Sequence, residues 1–336
     1  MAVSESAKTT LDVATLLPAG QHLIGGEWVT ARSGETIDVI NPATGETLAA
    51  VPRGSDVDVA DAVAAAAEAF PAWRDTSPSV RGQLLLRWAE LCREHGAELD
   101  LLERMEVGRP GWGPGPMPGI ITFVAGLADK ATGQTLPAMF PDVVGMTLRE
   151  PWGVCASIIP WNAPGPLTAQ ETAPAIAMGN TLVLKPAEDA PLTPLLMVKL
   201  AHEAGIPAGV INVVTGYGGE AGSALSHHAG IRKMSFTGSP ETGTQIMRAC
   251  AENLVPVHLE LGGKSPQVVL RDAPLEKAIP TIVRSITLNT GQICAAGSRV
   301  VVDDKIREQV VEGLAEGFSK VRVGPWYEQV EMGPLI

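Results

Sequence analysis

The sequence has no run of about 18 consecutive apolar residues, the length a helix needs to cross a membrane, so no transmembrane span and no membrane partner are expected. Its first twenty residues, MAVSESAKTTLDVATLLPAG, lack the basic start and apolar core of a secretory signal. Cysteine is scarce and scattered. Cys92, Cys155, Cys250 and Cys294 make no CxxC pair, which argues against a zinc knuckle or a disulfide scaffold. The cytoplasm is the expected location. The six histidines show no ligand spacing: His202-Glu203 is followed by Ala-Gly-Ile, not by the second histidine of a zinc helix, so no metal is expected. Basic charge is also in deficit. The chain carries 25 Lys+Arg against 37 Asp+Glu, a net charge of −12. That balance argues against DNA or RNA as a partner, because phosphate binding needs a basic surface. Finally, the GxGxxG fingerprint is absent from residues 154–161, where the first strand of a nucleotide fold would place it.

What is present describes a turn-rich α/β chain. The length of 336 residues predicts two or three domains. The 36 glycines and 27 prolines are scattered among apolar runs instead of being gathered in a low-complexity tail. His22–Val29 reads as the start of a strand pair, and Asn41-Pro42-Ala43-Thr44-Gly45 as a turn. An Ala-rich helix from Asp56 to Phe70 has Ser55 or Asp56 as its cap. A second helix is predicted from Ser79 to Val107, with Gly96 as its weak point. Residues 108–119, GRPGWGPGPMPG, read as a loop, and Ile120–Lys130 as a helix.

From Val154 the pattern alternates. Strands are predicted at Val154–Ile159, Thr181–Lys185, Val210–Val214, Lys233–Thr237 and Val257–Leu259. Helices are predicted at Gly165–Ala177, Thr193–Ala204, Gly219–Ser226 and Ser239–Ala251. Short apolar strands alternating with helices imply a parallel sheet covered on both faces. In such sheets ligands sit beyond the carboxyl ends of the strands. Those ends carry Trp161-Asn162, Lys185 and Glu188, Gly216 and Gly218, and Gly238-Ser239.

Phe236-Thr237-Gly238-Ser239-Pro240-Glu241-Thr242-Gly243 runs a strand straight into a helix. Free N–H groups there, with the Ser239 hydroxyl, suit a pyrophosphate. A glycine turn with a serine cap is an equal reading, since Glu241 would oppose an anion. In Lys185-Pro186-Ala187-Glu188 the two charged groups can meet ribose hydroxyls, and a carboxylate there favours NAD over NADP; a surface ion pair is the plainer alternative. Three places look chemical: Ile159-Pro160-Trp161-Asn162, Glu260-Leu261-Gly262-Gly263-Lys264-Ser265-Pro266, and Asn289-Thr290-Gly291-Gln292-Ile293-Cys294. They offer an amide after a buried strand, a carboxylate at a tight turn, and a cysteine after a helix and a glycine. Each has a structural alternative: a satisfied turn for Asn162, an ion pair for Glu260, a small buried side chain for Cys294.

These motifs resemble the aldehyde dehydrogenase superfamily. The resemblance rests on IPWN at 159–162, KPAE at 185–188, FTGS at 236–239, ELGGKSP at 260–266 and NTGQIC at 289–294, with IGGEWV at 24–29, NPATGE at 41–46 and MGPLI at 332–336. It implies NAD(P)-dependent oxidation of a small-molecule aldehyde to an acid through a thiohemiacetal and a thioester. Cys294 would be the nucleophile, Asn162 and the Cys294 N–H the oxyanion hole, and Glu260 the base that activates water. The presence of Glu260 favours the hydrolytic branch. Lys185 and Glu188 would hold the adenosine ribose, Gly238 and Ser239 the pyrophosphate, and Gly262 the nicotinamide side. Gly243 would permit close packing. Ile159, Pro160, Trp161, Gly218, Phe236 and Leu261 complete the expected cofactor set. NAD is the expected cofactor, with NADP as the second choice. Trp112, Met117, Ile293 and Ala295 suggest an apolar substrate pocket.

The implied fold is an aldehyde dehydrogenase-like α/β chain with a Rossmann-type parallel sheet, a partial second α/β catalytic domain and an oligomerisation hairpin. Its divisions are 1–130 and 150–260 for the NAD(P)-binding domain, 131–149 for the hairpin, and 261–336 for the N-terminal part of the catalytic domain. Family members ordinarily run longer, so the chain reads as C-terminally truncated. On that reading the strand Gly297–Val302 and the helix Ile306–Lys320 lack partners. The full-length form would be a homo-oligomer, and a complementing C-terminal fragment would be a partner of this chain. The second reading of function is a weak or inactive cofactor-binding fragment, or one half of a split aldehyde dehydrogenase.

Overall fold

The structure, a computed structural model, describes residues 11–111, 115–138 and 140–336. Trp112 lies outside the described residues. A short helix α1 (Val13–Leu16) precedes an antiparallel pair, β1 (His22–Ile24) and β2 (Glu27–Val29). A second antiparallel pair, β3 (Thr36–Ile40) and β4 (Thr47–Pro52), turns at Asn41, whose side-chain Oδ1 accepts from the Ala43 N–H at 2.9 Å. Helix α2 (Asp56–Asp75) opens on a Ser55/Asp58 capping box and continues through Pro71, beyond the expected end at Phe70. The single helix expected from Ser79 to Val107 is two, α3 (Pro78–Glu94) and α4 (Gly96–Val107), parted at His95. Helix α5 (Met117–Ala125) starts three residues early because Pro118 suits a first helical turn. Two strand fragments, β5 (Thr135–Leu136) and β6 (Gly145–Met146), pair antiparallel within the 131–149 segment.

The central run follows the expected alternation: β7 (Val154–Ile159), α6 (Pro164–Ala177), β8 (Thr181–Pro186), α7 (Leu192–Glu203), β9 (Ile211–Val213), a π-turn at Gly218–Gly222 leading into α8 (Ser223–His227), β10 (Lys233–Gly238), α9 (Pro240–Glu252) and β11 (Val257–Leu261). The sheet has seven strands in the order β11-β10-β7-β8-β9-β1-β2. The pairs from β11 to β9 are parallel, and β1 joins β9 antiparallel. One face buries Trp88, Leu99, Ile176 and Leu195 from α3, α4, α6 and α7. The other buries Val59, Leu225 and Ile246 from α2, α8 and α9. The first core also satisfies a buried polar group: the Trp88 indole N–H donates to the Met197 carbonyl at 2.9 Å. No helix among the described residues is long and apolar enough to cross a membrane, and no group of three or more potential metal ligands occurs among them.

Residues 262–336 form a smaller unit of β12 (Pro266–Val269), α10 (Leu275–Thr287), β13 (Arg299–Val302) and α11 (Arg307–Ser319). Here the expectation of unpartnered elements in a partial domain is corrected. β13 pairs in parallel with β12, and Val269, Ile282 and Val310 make a common core between strands and helices. Gly313 and Gly317 bring α11 close to α10, since a Cβ at either would strike Ile279 or Val283.

One buried carboxyl joins two helices. Glu106 of α4 accepts from the Leu192 N–H at 2.8 Å and the Thr193 N–H at 3.0 Å, at the start of α7. Burial raises its pKa from 4.5 to about 8, against the pull of the Thr193 and Leu192 hydrogen bonds. A carboxyl whose pKa is higher in the folded chain stabilises it below the unfolded pKa and loses that contribution as pH rises to the folded one. Between pH 5 and 8 the wild type should therefore lose stability relative to Glu106→Gln, by up to ~1.4 kcal/mol per pH unit. Urea unfolding of both proteins across that range checks it. A constant difference would show that Glu106 does not titrate there.

Candidate active site

The sheet order puts a switch point beside β7: the chain moves from β7 outward through β8 and β9, then returns to the other side of β7 with β10. A crevice opens beyond the strand ends at such a point. Ile159 is buried at the end of β7, and Pro160, Trp161 and Asn162 follow it half-buried. Gly238 ends β10 against the Phe236 ring, which lies 2.5 Å from where a Cβ would stand. Ser239 caps α9: its Oγ accepts from the Thr242 N–H at 3.1 Å and donates to Thr242 Oγ1 at 3.0 Å. Gly243 lets α9 settle on β11, because a Cβ there would come within 2.8 Å of Leu261 Cδ2. Gly218 and Gly262 have open space within 4 Å of a notional Cβ, so bare backbone is accessible in the turn after β9 and at the end of β11.

Lys185 and Glu188 are not a surface pair. The ammonium lies 2.9 Å from the carboxylate, with the lysine side chain 2% exposed and the glutamate 29%. Burial lowers the Lys185 pKa against the pull of Glu188. Glu188 is itself half-buried, which raises its pKa, yet Lys185 and the Gly218 N–H hold it below the usual carboxylate value. The pair thus ties the end of β8 to the glycine turn after β9.

Two of the three chemical motifs, those of Asn162 and Cys294, are bonded at one turn, and the Gly263 end of the third lies beside it. After α10 the chain makes a 3₁₀ turn in which Asn289, Thr290 and Gly291 have φ of 52°, 61° and 77°. The Asn162 side-chain amide donates to the Gln292 carbonyl at 2.8 Å. Asn289 Nδ2 donates to the Asn162 carbonyl at 2.8 Å and to the Gln292 carbonyl at 3.1 Å. Gly263, just past β11, has the Cys294 carbonyl 3.4 Å from its notional Cβ, so the end of β11 meets the same turn. The chain end braces it from outside: the Gly333 N–H donates to Thr290 Oγ1 at 3.1 Å and the Ile336 N–H to Gln292 Oε1 at 3.2 Å.

Cys294 is exposed, unlike the other three cysteines. Burial pushes the thiols of Cys92 and Cys155 up to about 12 and that of Cys250 to about 11, which leaves them inert near neutral pH. Glu260 lies on β11 with 63% of its side chain exposed, 3.4 Å from His258 Nε2. The strand's two-residue period puts both on one face, a signal the sequence held. Of the residues expected to line an apolar pocket, Met117 is instead in the core at the start of α5. The clamp by Asn289 and the brace from Gly333 and Ile336 escaped sequence reading, because nothing local marks them.

The model described as "Aldehyde dehydrogenase family" matches residues 28–336. The chain is 44% identical over 325 residues to a hydroxyisobutyraldehyde dehydrogenase of Mycolicibacterium austroafricanum, covering 93% of this chain and 63% of that protein. It is 46% identical to a phenylacetaldehyde dehydrogenase of Pseudomonas fluorescens, covering 94% and 66%. An NAD+ complex of aldehyde dehydrogenase from Bacillus cereus superimposes with a TM-score of 0.94 at 41% identity, over 98% of this chain and 69% of that one. A variant of that enzyme covers 100% of this chain with a TM-score of 0.93. The chain therefore spans about two thirds of the length of the relatives it matches.

These matches correct the expected truncation and the expected partial domain. Similarity runs through to residue 336 and takes in as much as 100% of this chain as one continuous stretch of the same fold. The truncated reading is not carried further, and a complementing C-terminal fragment is withdrawn as a partner. Within residues 262–336 the strand β13 pairs with β12, and Val269, Ile282 and Val310 share a small core.

Ser239→Ala removes the cap of α9 and should lower stability by ~1 kcal/mol. Urea unfolding tests this, and no change would mean that the hydroxyl is not an effective cap.

Proposed function

The chain belongs to the aldehyde dehydrogenase family, and on that footing we propose that it oxidises a small-molecule aldehyde to a carboxylic acid with a nicotinamide dinucleotide, through Cys294. The observation that carries this reading is the hydrogen bond of 2.8 Å from the Asn162 amide to the Gln292 carbonyl, two residues before the exposed cysteine. It brings the end of β7 and the cysteine turn to one place.

A side-chain amide has two hydrogens. One of Asn162's is held by Gln292, and the other is available to an oxygen bound at Cys294. Attack of the Cys294 thiolate forms a C–S bond and moves the carbonyl electron pair onto oxygen. Asn162 and the Cys294 N–H would stabilise that oxyanion, an effect worth ~3 kcal/mol per donor. Bound dinucleotide supplies the hydride acceptor that takes the carbon to the acyl level. Glu260 would accept a proton from water as the water attacks the thioester carbon; the C–S bond then breaks, the acid leaves and the thiolate is restored. The exposure of Glu260 on β11 suits a group that must reach water.

The strand ends fit the dinucleotide. Ile159, Pro160 and Trp161 would line the switch-point side, with Phe236, Gly238 and Ser239 on the neighbouring strand β10 and the helix cap after it. Gly218, Leu261 and Gly262 offer backbone there, and Gly243 keeps α9 close. Lys185 and Glu188 would meet the adenosine ribose, and the Glu188 carboxylate would repel a 2′-phosphate, so NAD is the preferred cofactor. Residues 1–130 and 150–260 would form this cofactor half, and 261–336 would carry the nucleophile. The 131–149 hairpin exposes Val144, Met146 and Leu148, which supports a role in homo-oligomerisation. Four unpaired cysteines suit a reducing compartment such as the cytoplasm.

Cys294→Ala should abolish NADH production and acyl-enzyme formation while NAD binding stays nearly intact; unchanged turnover would sink the assignment. Glu188→Gln should raise kcat/KM with NADP relative to NAD. Equal use of both cofactors by the wild type would defeat the preference.

A further inference from the structure

The cysteine turn departs from ordinary backbone. Asn289 and Thr290 are successive non-glycine residues with φ of 52° and 61°. The left-handed region disfavours L side chains, and a β-branched threonine most of all. Both residues are buried. Such conformations persist where the surroundings over-determine them, and they cluster at functional sites.

Besides the outer brace from Gly333 and Ile336, the surroundings on the Asn162 side are one amide. Asn289 Nδ2 gives its hydrogens to the Asn162 carbonyl at 2.8 Å and the Gln292 carbonyl at 3.1 Å, carbonyls that belong to two distant segments. Asn162 returns a hydrogen bond to the same Gln292 oxygen at 2.8 Å, so that oxygen accepts twice. The reverse orientation of the Asn289 amide would set its oxygen against two carbonyl oxygens, so the donor assignment is fixed by chemistry. The Asn289 Oδ1 is buried without a donor. The other end of the amide spans the main chain at Asn162 and the main chain of the cysteine turn.

We infer that Asn289 is a positioning residue for the reaction: its side-chain amide clamps the main chain at Asn162 to the main chain at Gln292, and so aims the Asn162 amide and the Cys294 N–H at one point. It does not touch the substrate. This inference rests on the reading of Cys294 as the nucleophile, and it assigns to a third residue the geometry that the oxyanion requires.

Two variants separate the clamp from the backbone. Asn289→Asp keeps the shape and the tolerance of a left-handed φ but removes the donor. Asn289→Gly relieves the φ strain and also removes the donor, so it is expected to fold if strain is the main hazard. Two reactions of Cys294 in the full chain separate aim from access. Acyl transfer from p-nitrophenyl acetate passes through an oxyanion at the attacked carbon: the thiolate forms a C–S bond and p-nitrophenolate leaves, with no cofactor needed. Alkylation by iodoacetamide displaces iodide and builds no oxyanion. Both are read by mass at Cys294.

Both variants should acylate at least ~10-fold more slowly, less than the ~100-fold or more seen when an oxyanion donor itself is removed, while alkylation stays within ~3-fold of wild type, a negligible barrier change by comparison. Unchanged acylation in Asn289→Gly would overturn the proposal, because only backbone conformation would then matter. Parallel loss of both rates would also overturn it, because the turn would merely have collapsed. If Cys294→Ala acylates as fast as wild type, or wild type does not acylate at Cys294 at all, it is the nucleophile assignment that fails, and the positioning role falls with it.

Discussion

The buried strand β7 is the constraint on which the rest of the site depends. All six of its residues are buried, and it is hydrogen-bonded on both sides, to β8 and to β10. A central parallel strand of that kind cannot slide without turning every side chain to the wrong face. Its end is therefore fixed, and Asn162, three residues on, inherits that fixity. The cysteine turn, which follows an amphipathic helix in a smaller unit, has no such anchorage of its own. It acquires position by bonding to the end of β7. Rigidity is thus made in the large sheet and passed across to the turn that precedes Cys294.

The central alternation was legible because each strand is a short apolar run bounded by glycine, proline or asparagine, and β7 through β11 fall within a few residues of their expected places. Boundaries between packed helices were less so. The split of α3 and α4 at His95 and the early start of α5 come from local cap and proline geometry, which a periodicity count blurs. Motifs near Asn162, Glu260 and Cys294 were visible as residue types in sequence. The bonds that gather two of them were not, since Asn162 and Gln292 are 130 positions apart and Asn289 and Asn162 are 127 apart. Contacts of that span depend on how two units dock, and no window of sequence carries that information.

The smaller unit shows how little core is needed to hold a turn in place when the turn is tied elsewhere. Its fully buried apolar cluster is Val269, Ile282 and Val310, while Val268, Leu270 and Val301 lie open to solvent. Stability there is local and modest in comparison with the sheet. Hydrogen bonds from Asn289, Asn162, Gly333 and Ile336 add the cross-links that three buried side chains cannot supply. Polar bonds to main-chain carbonyls fix orientation as well as distance, which apolar packing does not.

The contrast among the four thiols has a consequence for oxidative damage. Three are sealed in the interior, with burial holding them in the protonated form that peroxide attacks poorly. Cys294 alone stands in solvent. With no second cysteine exposed beside it to form a disulfide, a sulfenic acid made there has no resolving partner within the chain and is open to further, irreversible oxidation. An oxidant would thus act first on this one sulfur, while the three buried thiols and the packing around them stay untouched.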